Sequence, residues 1–288
     1  MSQVPDKITF VECPRDAMQG WKNFIPTEKK VEYLNALLKV GFDVLDFGSF
    51  VSPKAIPQMA DTKEVIGKLK LGKTVTKLLA IVANTRGAEE ASVFDQIHYL
   101  GFPFSVSETF QQRNTNSSIS ESLVRVQEIQ EICLQKKKEL VIYISMGFGN
   151  PYNDPWSEEI VFEWANRMVS LGIGTISLAD TVGLATAQNV ASITSYLVKS
   201  LPGTTVGVHL HSTQQNRAVK LDAALQAGCM RFDGAMKGIG GCPMANDELV
   251  GNMDTEWMIN FFAKAGDPLD LNPEALAKAS RLANEIFI

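Results

Sequence analysis

Thr204-Thr205-Val206-Gly207-Val208-His209-Leu210-His211-Ser212-Thr213 holds two of the chain's three histidines, one residue apart. The β-branched residues ahead of them predict a buried strand. Residues i and i+2 on a strand share a face, so both imidazoles should project together. Two neutral imidazoles on one face are half of a metal site, which oxygen ligands would have to complete. Read by itself, the stretch is equally a strand end with two satisfied core histidines. The remainder of the chain decides between them.

Outward from this strand, short apolar runs alternate with amphipathic ones. Strands are expected at 8–12, 42–47, 77–82, 102–107, 140–145, 175–178 and 205–211, with an eighth beginning at 230–232. Helices are expected from Thr27 until Gly41 stops the pattern, and at 62–69, 87–99, 120–136, 157–171, 187–200 and 214–227. Two more, near 255–265 and 273–287, finish the chain. Eight strand–helix units in 288 residues fit a (β/α)8 TIM barrel with extra C-terminal helices. A doubly wound open sheet competes, but the regular units and the lack of a Gly-rich first turn favour closure. No linker or low-complexity segment divides the chain, so residues 1–288 read as one catalytic domain.

Composition narrows the function. The chain is 45% hydrophobic and 20% charged, the profile of a soluble globular protein. No apolar run approaches the roughly 20 residues of a membrane span, and the first residues lack signal-peptide character. A net charge of -5 without a basic stripe argues against a nucleic-acid partner. Cys13, Cys133, Cys229 and Cys242 are too scattered for a disulfide framework, which makes a cytoplasmic protein with free thiols the expectation. His98, read as helical, and Cys13, Cys133 and Cys229 take structural roles. Lys136-Lys137-Lys138 reads as a solvated helix end, where cations suit the dipole.

Barrel enzymes build their sites at the C-terminal ends of the strands. The unusual polar residues collect there: Arg15 and Asp16 after strand one, Asp46 ending strand two, Asn84 after strand three. Asp180 and Thr181 follow strand six, and Cys242 lies in the Gly-rich loop after strand eight. Closure makes strand one the neighbour of strand eight, which brings Asp16 within reach of the two histidines. The metal reading then prevails over the core-histidine one.

Several motifs now align with a known pattern: Pro14-Arg15-Asp16-Ala17-Met18-Gln19, Ser49-Phe50-Val51-Ser52-Pro53-Lys54, Asp180-Thr181-Val182-Gly183, His209-Leu210-His211, and Gly238-Ile239-Gly240-Gly241-Cys242-Pro243 leading to Gly251-Asn252. From about residue 8 to 287 the chain resembles the hydroxymethylglutaryl-CoA lyases, a branch of the metal-dependent lyase and Claisen-synthase barrels. The resemblance implies that Asp16, His209, His211 and Asn252 hold a divalent cation, Mg²⁺ or Mn²⁺. It implies that Arg15 stabilises a thioester enolate, that Cys242 relays a proton, and that Asp16 or His209 is the base. Gln19, Asp46, Asn84, Asp180 and Thr181 would position an acyl-CoA substrate, and Glu256 would orient the loop at Asn252. A homodimer or higher homo-oligomer is expected, with no membrane or nucleic acid as partner.

The implied reaction is retro-Claisen cleavage of 3-hydroxy-3-methylglutaryl-CoA to acetyl-CoA and acetoacetate. The alternatives are a Claisen synthase joining acyl-CoA to a 2-oxo acid, a 4-hydroxy-2-oxo-acid aldolase, or, more remotely, a non-catalytic metal-binding barrel. The chain departs from the pattern in places. Asp46 stands for glutamate, Ser212 for aspartate, Val141 for an arginine on strand five, and Asn150 for a second loop cysteine. The interval from Cys242 to Asn252 is also one residue longer.

Overall fold

The computed structural model describes residues 7–241 and 250–287. Among them, eight parallel strands close into a barrel in sequence order. They are β1 (Thr9–Glu12), β2 (Val44–Ser49), β3 (Lys77–Ile81), β4 (Ile97–Ser105), β5 (Glu139–Ser145), β6 (Thr175–Ala179), β7 (Thr205–His209) and β8 (Arg231–Gly234). The helices between them are α1 (Pro14–Gln19), α2 (Thr27–Leu37), α3 (Thr62–Lys68), α4 (Thr85–Ser92), α5 (Glu108–Thr115), α6 (Ile119–Lys136), α7 (Glu158–Ser170), α8 (Ala187–Ser200) and α9 (Arg217–Gln226). The chain ends in α10 (Thr255–Ala265) and α11 (Pro273–Ile286), the extra helices anticipated from the sequence. No described helix is long and apolar enough to cross a membrane.

Alternation along the strands builds two cores. Outward residues such as Phe10, Leu45, Leu78, Ile142 and Ile176 pack under the helices. Val11, Cys13, Val44, Leu79, Val141 and Tyr143 form a separate apolar cluster, the plug expected inside a barrel this size. Val141, standing where an arginine was expected, is thus part of that plug. Side-chain caps fix the helix starts: Ser118 and Glu121 form a capping box on α6, and Asp254 caps α10.

Three sequence expectations are corrected. α4 ends at Ser92 rather than continuing to 99, and β4 begins at Ile97. The β-formers Ile97, Tyr99 and Leu100 take this segment, so His98 sits on a strand and its Nδ1 accepts a 3.3 Å bond from the Leu78 amide. α1 and α5, of 6 and 8 residues, fall where the sequence pattern predicts neither strand nor helix. β7 stops at His209, and His211 instead forms an isolated antiparallel bridge with Asn252.

That bridge belongs to a stitched segment. The Ser212 amide donates to the Gly251 carbonyl (2.9 Å) and the Met253 amide to Leu210 (3.2 Å). On the other side, the Ala235 amide donates to Met253 (3.0 Å) and the Thr255 amide to Ala235 (3.1 Å). Residues 251–255 are therefore threaded between the ends of β7 and β8.

Buried Glu12, at the end of β1, ties this segment to the barrel. Its Oε1 accepts the Met236 amide at 2.9 Å and its Oε2 accepts the Thr255 hydroxyl at 2.5 Å. Burial pushes the Glu12 carboxyl up to about 8 from 4.5. The folded state therefore keeps a proton that the unfolded chain gives up at lower pH. Its contribution to stability is complete below pH 4.5 and is lost as pH rises through about 8. Melting temperature should fall across that interval in the wild type, and Glu12→Gln, which keeps the shape without titrating, should flatten the fall.

Candidate active site

α1 starts directly after β1 because Pro14 is preorganised for a first helical turn. Arg15 and Asp16 are thereby delivered, buried, to the C-terminal mouth of the barrel. The Arg15 guanidinium forks onto Asp46 at the end of β2: Nε lies 3.2 and 3.0 Å from its two oxygens and Nη2 lies 2.5 Å from Oδ2. Nη1 donates to Asp16 Oδ1 at 3.0 Å. The shorter side chain of Asp46, noted above as a departure, is what lies under this fork. Burial raises the Asp46 carboxyl to about 6, against the opposing pull of Arg15.

Asp16 meets His209, at the end of β7, and His211 just beyond it. Ligand atoms of Asp16, His209 and His211 all lie within 4.8 Å of one another. The two imidazole centroids are 5.5 Å apart. Gln19 Nε2 donates to Asp16 Oδ1 at 2.8 Å, and Asn252 Nδ2 donates to Oδ2 at 2.7 Å. Burial alone would raise Asp16, but Arg15, then His209 and the Asn252 amide, outweigh it and hold the group at about 2. Burial, reinforced by neighbouring His209, pushes His211 down to about 3. His209 goes the other way, because its contact with Asp233 overrides burial.

These side chains suit a hard or borderline divalent cation. Asp16 stays ionised, His211 stays neutral, and Asn252 Oδ1 is buried with no hydrogen-bond partner among the described residues. An orphaned acceptor of this kind is costly unless something occupies it. The longer loop therefore does not swing Asn252 outward. Its other amide hydrogen goes to the Ile239 carbonyl at 2.9 Å. Gly240, at φ +112°, makes this possible, since a Cβ there would lie 2.3 Å from Asn252 Nδ2 and 3.1 Å from Asp16 Oδ2. Gly240→Ala should accordingly weaken Mn²⁺ binding by roughly 10–100-fold, the usual scale for disturbing a ligand's support, in a titration of the folded protein.

The cluster faces a cavity of about 570 Å³, whose walls include Arg15, Asp16, Gln19, Asp46, Asn84, Thr181, His209 and His211. Its far wall comes from α5, the turn after it and the first turns of α6, where Arg113 of α5 and Arg125 of α6 add positive charge. Arg113 stacks on Tyr152 at 4.7 Å. Two of these wall residues also have structural duties. Asn84 Oδ1 caps α4 through the Gly87 amide at 2.9 Å, and Thr181 Oγ1 accepts the Met146 amide at 2.9 Å.

Two other sequence expectations are not placed in the cavity. Asp180 is turned away: buried Lys220 donates to its Oδ2 at 2.8 Å and the Ala185 amide to its Oδ1 at 2.9 Å. Lys220 also donates to the His211 carbonyl at 2.8 Å, so this pair braces the second histidine. Glu256 bonds Lys237 at 2.9 Å and Ser280 at 2.6 Å, and so ties α11 to the turn after β8 instead of holding Asn252. Cys242 lies outside the described residues.

Sequence reasoning overlooked Arg231, Asp233 and Lys220. Asp233 Oδ2 lies 3.2 Å from His209 Nδ1, and its Oδ1 accepts Arg231 Nη1 at 2.8 Å. The signal was available: charged residues two apart on a central strand, and a lysine in the apolar phase of α9, both demand buried partners.

The HMGL-like family model matches residues 8–283. The chain belongs to the HMGL-like family. Among its HMGL-like relatives, the cytoplasmic 3-hydroxy-3-methylglutaryl-CoA lyase of Rattus norvegicus is 33% identical over 260 residues, 90% of this chain and 75% of that protein. Hydroxymethylglutaryl-CoA lyase YngG of Bacillus subtilis is 32% identical over 98% of this chain and 93% of its own length. Among solved structures, an HMG-CoA lyase from Acinetobacter baumannii in complex with coenzyme A and 3-methylmalate superposes with a TM-score of 0.91 at 32% identity, covering 100% of this chain and 93% of that one. This HMGL-like chain is thus similar to lyases along essentially its whole length.

Proposed function

We propose that this chain cleaves 3-hydroxy-3-methylglutaryl-CoA to acetyl-CoA and acetoacetate with a bound divalent cation, Mg²⁺ or Mn²⁺. The observation that carries the reading is the convergence of Arg15, Asp16, His209 and His211 on one cavity, with Asn252, bonded to Asp16, holding a buried Oδ1 that has no partner among the described residues. Asp16, His209, His211 and Asn252 would hold the cation. When bound, it supplies Lewis acidity that makes a substrate hydroxyl easier to deprotonate.

The protein's own groups account for the other steps. Asp16 carries donors from Arg15, Gln19 and Asn252, which suits a permanently ionised ligand better than a base. The proton acceptor is then His209, through Nε2. That one free lone pair would serve either the cation or the proton, so His209 would have to give up its place in the cation shell to a substrate oxygen before it takes the proton. Breaking the bond between the α-carbon and the hydroxyl-bearing carbon leaves acetoacetate and the enolate of acetyl-CoA. A guanidinium has five N–H donors, and three of those on Arg15 are engaged by Asp46 and Asp16, leaving donors for the enolate oxygen. Cys242 is assigned as the proton donor to the α-carbon on the resemblance. Arg113 and Arg125 give the far wall the charge that an anionic acyl-CoA would meet.

Purified protein incubated with 3-hydroxy-3-methylglutaryl-CoA and Mg²⁺ or Mn²⁺ should release acetoacetate and acetyl-CoA in equal amounts. Failure with both cations, alongside turnover of acetyl-CoA with a 2-oxo acid or of a 4-hydroxy-2-oxo acid, would move the chain to a synthase or aldolase.

A further inference from the structure

The interior of the barrel beneath His209 contains a charged pair that the reaction above does not use. Asp233 and Arg231 lie two residues apart on β8 and are 2% and 3% exposed. Asp233 splits its oxygens: Oδ1 takes Arg231 Nη1 at 2.8 Å, and Oδ2 faces His209 Nδ1 at 3.2 Å. The other end of the guanidinium is held by β5, with Nη2 3.3 Å from the Tyr143 hydroxyl. An ionised carboxylate is only an acceptor, so the imidazole nitrogen facing it must carry the proton.

We propose that Arg231 and Asp233 are positioning residues that fix His209 as its Nδ1–H tautomer, so that the Nε2 lone pair is presented to the cavity. Gly207, two residues before His209 on the same face of β7, clears the path for this pair. A Cβ there would lie 3.2 Å from Arg231 Cβ and Cδ. The glycine in the Val-Gly-Val-His stretch thus lets a side chain from the neighbouring strand pass beneath the histidine.

Arg231 gives the arrangement a testable polarity. In Asp233→Asn, Arg231 claims the single amide oxygen. The amide NH₂ then faces His209 Nδ1 and drives the proton to Nε2. Removing the guanidinium as well, in Asp233→Asn with Arg231→Leu, frees the amide to turn and offer its oxygen to the histidine.

With three histidines in the chain, ¹⁵N spectra of histidine-labelled protein can be assigned using His98→Gln and His211→Gln. In metal-free wild type, above the pH at which His209 loses its charge, Nδ1 should be the protonated nitrogen. Asp233→Asn should move that proton to Nε2 and weaken Mn²⁺ binding by roughly 10–100-fold. The double variant should return the proton to Nδ1 and recover most of the affinity. A wild-type His209 protonated at Nε2 overturns the proposal without any variant, which keeps the test decisive if a variant fails to fold. Unchanged Mn²⁺ affinity in a folded Asp233→Asn also overturns it. The proposal rests on His209 facing the cation cluster, but the tautomer is read without substrate or cation. A failed lyase assay therefore leaves it standing, and the reverse also holds.

Discussion

Excess chelator should abolish acetoacetate formation, and either Mg²⁺ or Mn²⁺ should restore it. The described residues offer no substitute for the lost Lewis acid near the substrate hydroxyl. Arg15 is committed to Asp46 and Asp16, and buried Lys220 to Asp180 and the His211 carbonyl. Losing about 4 kcal/mol of charge stabilisation corresponds to roughly a thousandfold in rate. His211→Ala should reproduce most of this loss at ordinary cation concentrations and be partly overcome by raising Mn²⁺. Full activity in chelator would remove the cation from the reaction altogether.

Arg15→Lys should fold and bind substrate yet turn over roughly 10²–10³-fold more slowly, the scale for losing one oxyanion donor. Arginine at this position does two things at once: its Nε and Nη2 fork onto Asp46 while Nη1 reaches Asp16. A single ammonium keeps the charge but loses the planar fork, and so can neither span both carboxylates nor aim a spare donor at the enolate. The loss should fall on kcat with KM little changed, because the enolate exists only after the bond breaks. A near-normal kcat would mean that another group carries the enolate.

The barrel could be read from the sequence because its strands are short runs of Val, Ile, Leu and Phe separated by helices with clear stops, a pattern few folds share. Errors arose where local signals competed. The segment 93–99 continues the helical phase of α4 but is rich in β-formers, and pairing with β3 decided it. α5 was hidden because Glu108–Thr115 is almost wholly polar, yet it supplies the cavity's far wall. Asp16, His209 and His211 were legible as a cluster because barrel closure is a statement about topology. The duties of Asp180 and Glu256 were not, since a carboxylate near a site gives no sign in sequence of the buried lysine or the serine that will claim it. Arg231 and Asp233 lie on β8 itself and not beyond a strand end, so the rule that barrel sites gather at the C-terminal ends does not reach them.

The Asn252–Asp16 contact joins residues 236 positions apart. The site is therefore assembled from the first and last parts of the barrel to leave the ribosome, across the seam where β1 meets β8. A nascent or C-terminally truncated chain can contain the Arg-Asp turn and both histidines and still lack a complete cation shell. Cation binding should then report on completion of the whole circle. Saturating Mn²⁺ should slow hydrogen exchange at the β1–β8 seam as much as at the histidines, because an ion that binds only the closed form stabilises whatever must stay closed to hold it.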